Sequence, residues 1–404
     1  MARLAQMVGV IKSLLFRLVG RRLYNRCAPV WRRYFKYPAI ADVFDKQKMH
    51  KKRALVIYLS QPFFAPEPTD PANRHANLQW SLVLADALDE KGYVVDVLDL
   101  RSDRPLPSSK YDLIIGCGKR FYDLPRQNGT TLVYLATGCE GSFQRDQQTA
   151  RVEALRLRRG VRGESIPVSE NDGQRIANCD AVMSVGNEFT SSTYDDFSQR
   201  IFPLPNIGFS FIDKLERDFA TARNKYLFLG SRGQVHKGLD LLLEAFADNA
   251  DLELYICASV EAEPVFQKCY ERELYHLTNV HFVGRIDLAS EQFREIARAC
   301  AFVVLPSCAE GMSGSVISAM QTGLIPLVSE TSGIDVGEFG KLLQPCTIPT
   351  IQEVIRSVSD LPTKQLERQS AAAREATELC FSPENLRREI CDVLGSLAAL
   401  KTGQ

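Results

Sequence analysis

P-S-C-A-E-G-M-S-G-S-V-I-S-A-M-Q-T-G, residues Pro306–Gly323, lies between two apolar runs, Ala301–Leu305 and Leu324–Val328. Runs of that length and composition predict buried parallel strands, and the pattern between them predicts a helix that closes at Gly323. The unit is strand, loop, helix, strand. Its loop carries one carboxylate, Glu310, and its helix opens on Ser313, Gly314 and Ser315. A helix N-terminus presents free N–H groups and partial positive charge to an anion. Small residues there let a phosphate approach the backbone, and Glu310 stands ready to accept hydrogen bonds from hydroxyls on the phosphate's carrier. An anion cradle beside a hydroxyl acceptor points to a nucleotide-sugar. The competing reading is an α/β loop with a Glu and a Ser-Gly pair and no ligand, and on this stretch alone the two stand level.

A second stretch has the same form. Tyr226–Gly230 reads as a strand, Ser231–Gly238 (S-R-G-Q-V-H-K-G) as a loop, and Leu239–Phe246 as an amphipathic helix. Lys237 sits at the helix start, where a cation opposes the macrodipole. A diphosphate facing it accounts for that placement, and a solvated surface lysine is the alternative.

Together, F-L-G-S-R-G-Q-V-H-K-G-L-D and P-S-C-A-E-G-M-S-G-S-V-I-S-A-M resemble the donor site of GT-B glycosyltransferases of family four (glycosyl transferases group 1), retaining enzymes of bacterial type. The resemblance runs from about Tyr226 to Phe381 and is weaker over the N-terminal half. It implies two Rossmann-like domains facing a cleft. It makes Lys237 a ligand of the donor diphosphate, with Arg232 as a second catalytic cation and Gly230, Ser231, Ser313, Gly314 and Ser315 lining the diphosphate. By the same resemblance Glu310, Gly311 and Met312 meet the sugar, while Arg285 and Ile286, after Gly284, meet the base. The family's motif is Glu, seven residues, Glu. Here its first member is Glu310, but Ser318 stands at the second, the ribose-binding place, where it is shorter and neutral.

The chain has 404 residues, of which 45% are hydrophobic, enough for two ordinary cores. Its formal net charge is zero, but residues 1–41 hold nine Lys or Arg and no Asp or Glu, so the body is acidic. An acidic body argues against a nucleic-acid partner. The eleven cysteines form no C-x-x-C pair and resemble reduced, buried thiols. No D-x-D element is present, and no metal or other cofactor is expected.

Residues 1–41 read as a basic amphipathic segment. Leu4, Met7, Val8, Ile11, Leu14, Leu15 and Leu18 recur at helical spacing, and arginines interleaved with Tyr24, Trp31, Tyr34 and Phe35 follow. The apolar run is shorter than the roughly 20 residues a span needs. The pattern fits a helix lying on anionic headgroups. A helix packed in the N-domain and an organellar presequence are the alternatives. Attachment through residues 1–38 implies a cytoplasmic protein peripheral at the inner face of the membrane.

Residues 53–205 read as a first Rossmann-like, acceptor-side domain, with strands at Ala54–Leu59, Val94–Leu98, Leu113–Ile115, Thr131–Ala136 and Ala181–Val185. The proline-rich loop after the first strand ends on Asn73, Arg74 and His75, candidates to face an acceptor or merely to cap the next helix. Thr137–Asp146 reads as a loop, with Glu140 and Arg145 facing the ligand cleft. The basic run Arg156–Gly163 reads as a solvated loop, with phosphate or membrane contact as the sharper alternative. Residues 206–378 read as the donor domain, and 379–404 as a C-terminal segment whose helix, Pro383–Leu400, packs back on the first domain.

The expectation is a metal-independent glycosyltransferase moving a sugar, with retention, from a nucleotide diphosphate to a glycan or lipid-linked acceptor, as in polysaccharide or lipopolysaccharide synthesis. The alternatives are a GT-B epimerase or hydrolase and a non-catalytic nucleotide-sugar binding module. A dinucleotide oxidoreductase fits least, since no G-x-G-x-x-G follows a strand.

Overall fold

The computed structural model describes residues 39–46, 49–64, 75–105, 109–168, 173, 176–209 and 215–402. The basic segment 1–38, most of the proline-rich loop, and Asn73 and Arg74 lie outside the described residues.

Apolar, β-branched runs build two α/β sheets of Rossmann type. The first contains β1 (Ala39–Ile40), β2 (Lys52–Tyr58), β3 (Tyr93–Asp99), β4 (Leu113–Gly116), β5 (Thr131–Ala136), β6 (Ala181–Val185) and β7 (Arg200–Leu204). Their order is β1-β3-β2-β4-β5-β6-β7. The β3–β2–β4–β5 pairings are parallel, and β1 runs antiparallel to β3 at the edge. The second sheet contains β8 (Lys225–Leu229), β9 (Glu253–Cys257), β10 (Val280–Phe282), β11 (Phe302–Leu305), β12 (Ile325–Val328) and β13 (Lys341–Leu342). Its order is β10-β9-β8-β11-β12-β13, parallel throughout. Central strands are buried on both faces, as covering helices require of a parallel sheet. Tyr226 shows the packing: its ring stacks on Phe302 at 4.9 Å and meets Phe246 edge-on. Its hydroxyl donates to the Ile355 carbonyl at 2.7 Å, so the one polar atom of a fully buried side chain is satisfied.

The chain forms two compact units. One holds the described residues up to Leu135, with 175–183 and the chain from Arg387; the other holds 136–174 and 184–386. In the first unit the last helix (Pro383–Thr402), from Arg387 onward, lies against the helix Ala76–Glu90: Arg387 pairs with Glu90, and Cys391 is buried.

Two expectations are corrected. Thr137–Asp146 is not all loop, because a 19-residue helix, Gly141–Arg159, begins within it. Nor is Arg156–Gly163 a solvated loop. Its first four residues are the last turn of that helix, and Gly160, at φ 69°, caps it. Arg158 reaches the fully buried Asp240 at 2.6 Å, and Arg159 reaches Glu273 at 3.0 Å and Glu244 at 3.2 Å. These guanidinium groups are structural ties within the second unit.

Candidate active site

The two loops singled out above leave neighbouring strands. In the second sheet the chain runs outward from β8 through β9 to β10, then returns to the other side of β8 for β11, β12 and β13. The β8/β11 junction is therefore where strand order reverses, and open α/β sheets bind ligands outside the carboxyl ends of their strands at such a point. Ser231–Gly238 follows β8, and Pro306–Ser313 follows β11.

The loop bearing Glu310 is held from both sides. The Glu310 N–H donates to the Thr331 carbonyl at 2.9 Å, and its own carbonyl accepts the Cys139 N–H at 3.1 Å. The Gly311 carbonyl accepts the Thr190 hydroxyl at 3.0 Å, and the Met312 carbonyl accepts from Asn206 Nδ2 at 2.7 Å. The Ser313 N–H donates to the Ser332 carbonyl at 3.1 Å. Gly333 permits this crossing. A Cβ there would lie 1.6 Å from the Gly311 oxygen, and its φ of 72° already favours glycine.

Lys237 comes to the same place from β8. Gly233 (φ 85°) opens a tight turn in which the Lys237 N–H donates to the Gly233 carbonyl at 2.8 Å. The turn ends at Gly238, φ 76°, where a Cβ would meet the Pro306 carbonyl at 2.3 Å. The result is an ion pair, Lys237 Nζ to Glu310 Oε1 at 2.5 Å, with the two side chains 12% and 18% exposed. The Ser307 hydroxyl donates to the same oxygen at 3.0 Å. His236 Nε2 lies 3.7 Å from it. Burial alone would raise the Glu310 pKa, but the Lys237 ammonium and the Ser307 hydroxyl outweigh it and hold the carboxyl below its ordinary range. His236, 3% exposed, is pushed by burial down to about 4, against the pull of Glu310, and is neutral at pH 7.

The helix Gly314–Gln321 begins beside this pair in sequence, and its start is open. Ser313, at the N-cap, gives its side chain to the Ser315 hydroxyl at 3.1 Å and caps no amide. The N–H groups of Gly311, Met312, Gly314, Ser315 and Val316 meet no acceptor among the described residues. Five such groups in six residues are the donors that a helix start offers to an anionic oxygen. Ser318 does not face it. Ser318 is 2% exposed, and its hydroxyl donates to the Gly314 carbonyl at 2.6 Å and accepts the Phe209 N–H at 2.8 Å. The expected ribose or base contact does not fit that placement, because the side chain is buried and its hydroxyl already donates and accepts within the fold.

Other expected residues fall variously. Ser231 and Arg232 are exposed, and Arg232 has no ion pair among the described residues. The Gly230 N–H is committed to the Cys257 carbonyl at 3.0 Å, so it is not open to a diphosphate. Arg285 is exposed and Ile286 half-buried beyond Gly284. His75 caps the helix Ala76–Glu90, its Nδ1 accepting the Asn77 N–H at 3.2 Å. The cleft-facing reading of Glu140 is corrected: Glu140 is buried and caps the helix Gly141–Arg159, accepting from the Ser142 and Phe143 N–H groups at 2.6 and 3.1 Å. Arg145 is half-buried on that helix. Sequence reasoning missed His236, Ser307 and Thr331. The first two sit inside the quoted motifs and carried a signal by adjacency; Thr331 carried none. Among the described residues no group of three or more His, Cys, Asp or Glu is placed to hold a metal ion.

The glycosyl transferases group 1 family model matches residues 223–360, about a third of the chain, including both loops that carry Lys237 and Glu310. No curated protein sequence matches. Among solved structures, sucrose-phosphate synthase from Thermosynechococcus elongatus is similar with a TM-score of 0.61 at 15% identity, over 87% of this chain and 100% of that one. Anabaena HepE in complex with UDP-glucose gives 0.54 at 13% identity, over 86% and 100%. An S. aureus TarM variant in complex with Fondaparinux, alpha-GlcNAc-glycerol and UDP gives 0.51 at 14% identity, over 78% of this chain and only 57% of TarM. At these identities the likeness is one of fold: two Rossmann-like domains, as in GT-B glycosyltransferases.

Proposed function

We propose that the chain is a glycosyltransferase that moves a sugar from a nucleotide diphosphate to an acceptor hydroxyl, with retention at the anomeric carbon and without a metal ion. One observation carries this reading. Five open amides at Gly311–Val316 adjoin, in one loop, a carboxylate fixed against a lysine at the sheet's switch point. The amides and Lys237 meet the negative charge that grows on the departing diphosphate, the work a metal performs elsewhere. Glu310, kept ionised, accepts hydroxyls of the sugar. The UDP and UDP-glucose bound in the similar structures favour a uridine donor. The acceptor is a glycan or a lipid-linked sugar. The basic segment 1–38 brings the enzyme to an anionic membrane face, by the charge pattern of its sequence alone.

A non-catalytic nucleotide-sugar binding module is the second reading, and the commitment of Ser318 to the fold favours it. A panel of UDP-, GDP- and ADP-sugars, read first by thermal stabilisation, separates the two. A ligand that binds only the native chain raises its melting temperature, by about 2.7 kcal/mol of stability at one hundred times Kd. We expect one nucleotide class to do so and to lose its sugar on incubation. Stabilisation without release of nucleoside diphosphate would favour the module, and no stabilisation by any member would remove both readings.

A further inference from the structure

Glu263 is 5% exposed, and among the described residues it has no ion-pair partner. Its carboxylate is solvated by the loop after β8 instead. It accepts the Gly233 N–H at 2.5 Å, the Gln234 N–H at 3.0 Å and, more weakly, Gln234 Nε2 at 3.4 Å. Glu263 immediately precedes the helix Pro264–Cys269, a position from which a side chain ordinarily turns to the helix's own first amides. Here that work is done by Glu164, which accepts from Val265 N–H at 3.0 Å and Phe266 N–H at 3.3 Å. Glu263 is thus free to turn the other way, and the amides of a glycine-bearing loop, the usual kind of nest for a phosphate, are filled by the chain's own carboxylate.

We infer that Glu263 is a positioning residue for Lys237: it fixes the Gly233–Gly238 turn from behind and so sets the lysine against Glu310. The inference rests on the function proposed above. The mechanical path is short. Glu263 holds Gly233 and Gln234; the Gly233 carbonyl receives the Lys237 N–H at 2.8 Å, and the Gln234 carbonyl receives the Leu239 N–H at 2.9 Å. Gly233 and Gln234 are both buried, so without the carboxylate two buried N–H groups lose their acceptor and the turn must move to find water. It follows that the donor's phosphates are met by Lys237 and the amides at Gly311–Val316, and that the amides of Gly233 and Gln234 take no part.

The test uses the full chain as wild type, Glu263→Ala, Glu263→Gln, Lys237→Ala and the double variant Glu263→Ala with Lys237→Ala. UDP, GDP and ADP are the probes, with affinity read by calorimetry and the loop read by amide hydrogen exchange. Glu263→Ala is expected to speed exchange at Gly233 and Gln234 and to weaken nucleoside-diphosphate binding about tenfold where Lys237 is present, with little further loss where it is absent. Glu263→Gln keeps the volume and one acceptor oxygen but turns an NH₂ toward donors, and is expected to fall between. If the alanine variant does not fold, the glutamine variant decides alone. Equal fold-losses with and without Lys237, or full affinity in both Glu263 variants, would overturn the inference while leaving the proposed function standing. Failure of all three diphosphates to bind the wild type would overturn the donor site, and the inference with it.

Discussion

Glu310 keeps its charge where burial disfavours charge, and it does so through the Lys237 ammonium and the Ser307 hydroxyl, with His236 beside them. The neutral His236 among them has a measurable consequence. Its pKa falls from an ordinary 6.5 to about 4 on folding. Between those values the unfolded chain binds a proton that the folded chain refuses, so stability falls as pH drops through that window. The full loss is on the order of 3 kcal/mol, and about 2 kcal/mol of it appears between pH 7 and pH 5. Urea unfolding at those two pH values is expected to show that extra loss in the wild type and not in His236→Asn. The same pH dependence in both proteins would contradict the assignment. At this scale Lys237 and Glu310 were legible because each is a charged residue in a small-residue loop between a strand and a helix. Glu140 was misread for the same reason: in sequence, a carboxylate that caps a helix looks the same as one that faces a ligand. Ser318 was legible as a departure from the motif, but not as a tether, since its partner at Phe209 is 109 residues away.

The helix Gly141–Arg159 shows what the element scale hides. Its buried residues are only Gly141, Gln148, Val152 and Leu155, too few for an apolar period to show through a charged sequence. Val152 and Leu155 join the hydrophobic core, and ion pairs tie the rest of the helix. Asp240 is fully buried, and burial pushes its carboxyl up despite Arg151 and Arg158 nearby. Glu244, half-buried, accepts from Arg158, Arg159 and the Tyr270 hydroxyl, and the Arg159 guanidinium sits 4.7 Å over the Tyr270 ring. Removing one member of a buried pair leaves the other uncompensated. Arg158→Met is therefore expected to destabilise the chain by about 3 kcal/mol, and Asp240→Asn in the same chain to restore part of it. A loss under about 0.5 kcal/mol would mean that the pair behaves as an exposed one. The strands, by contrast, were legible almost to the residue. Buried parallel strands are short, unbroken apolar runs, and the β8, β11 and β12 runs have no competing pattern. The edge strands β1 and β13, two residues each, carry no such run and were missed, and so was the five-residue edge strand β7, whose run is broken by Pro203.

Across the whole molecule, two sheets and their alternation with helices follow from the spacing of apolar runs, whereas the division into compact units at Leu135 and Arg387 depends on long-range packing that no local pattern records. No helix among the described residues is long and apolar enough to cross a membrane. The nine basic residues of 1–41, with no acidic ones, lead us to expect that the full chain binds vesicles containing anionic lipid and is partly released by salt, while a chain lacking residues 1–38 stays in solution. Equal binding by the two chains would assign the segment to the fold. The central claim is that Lys237 and Glu310 act on a nucleotide-sugar, and its most direct test is nucleoside diphosphate release from the donor that stabilises the chain, measured for the wild type, Lys237→Ala and Glu310→Gln. We expect Lys237→Ala to lower both turnover and nucleoside-diphosphate affinity, with turnover down by about a hundredfold, and Glu310→Gln to lower turnover while affinity for the free diphosphate holds. Undiminished release by Lys237→Ala, in a chain that still folds, would contradict the account.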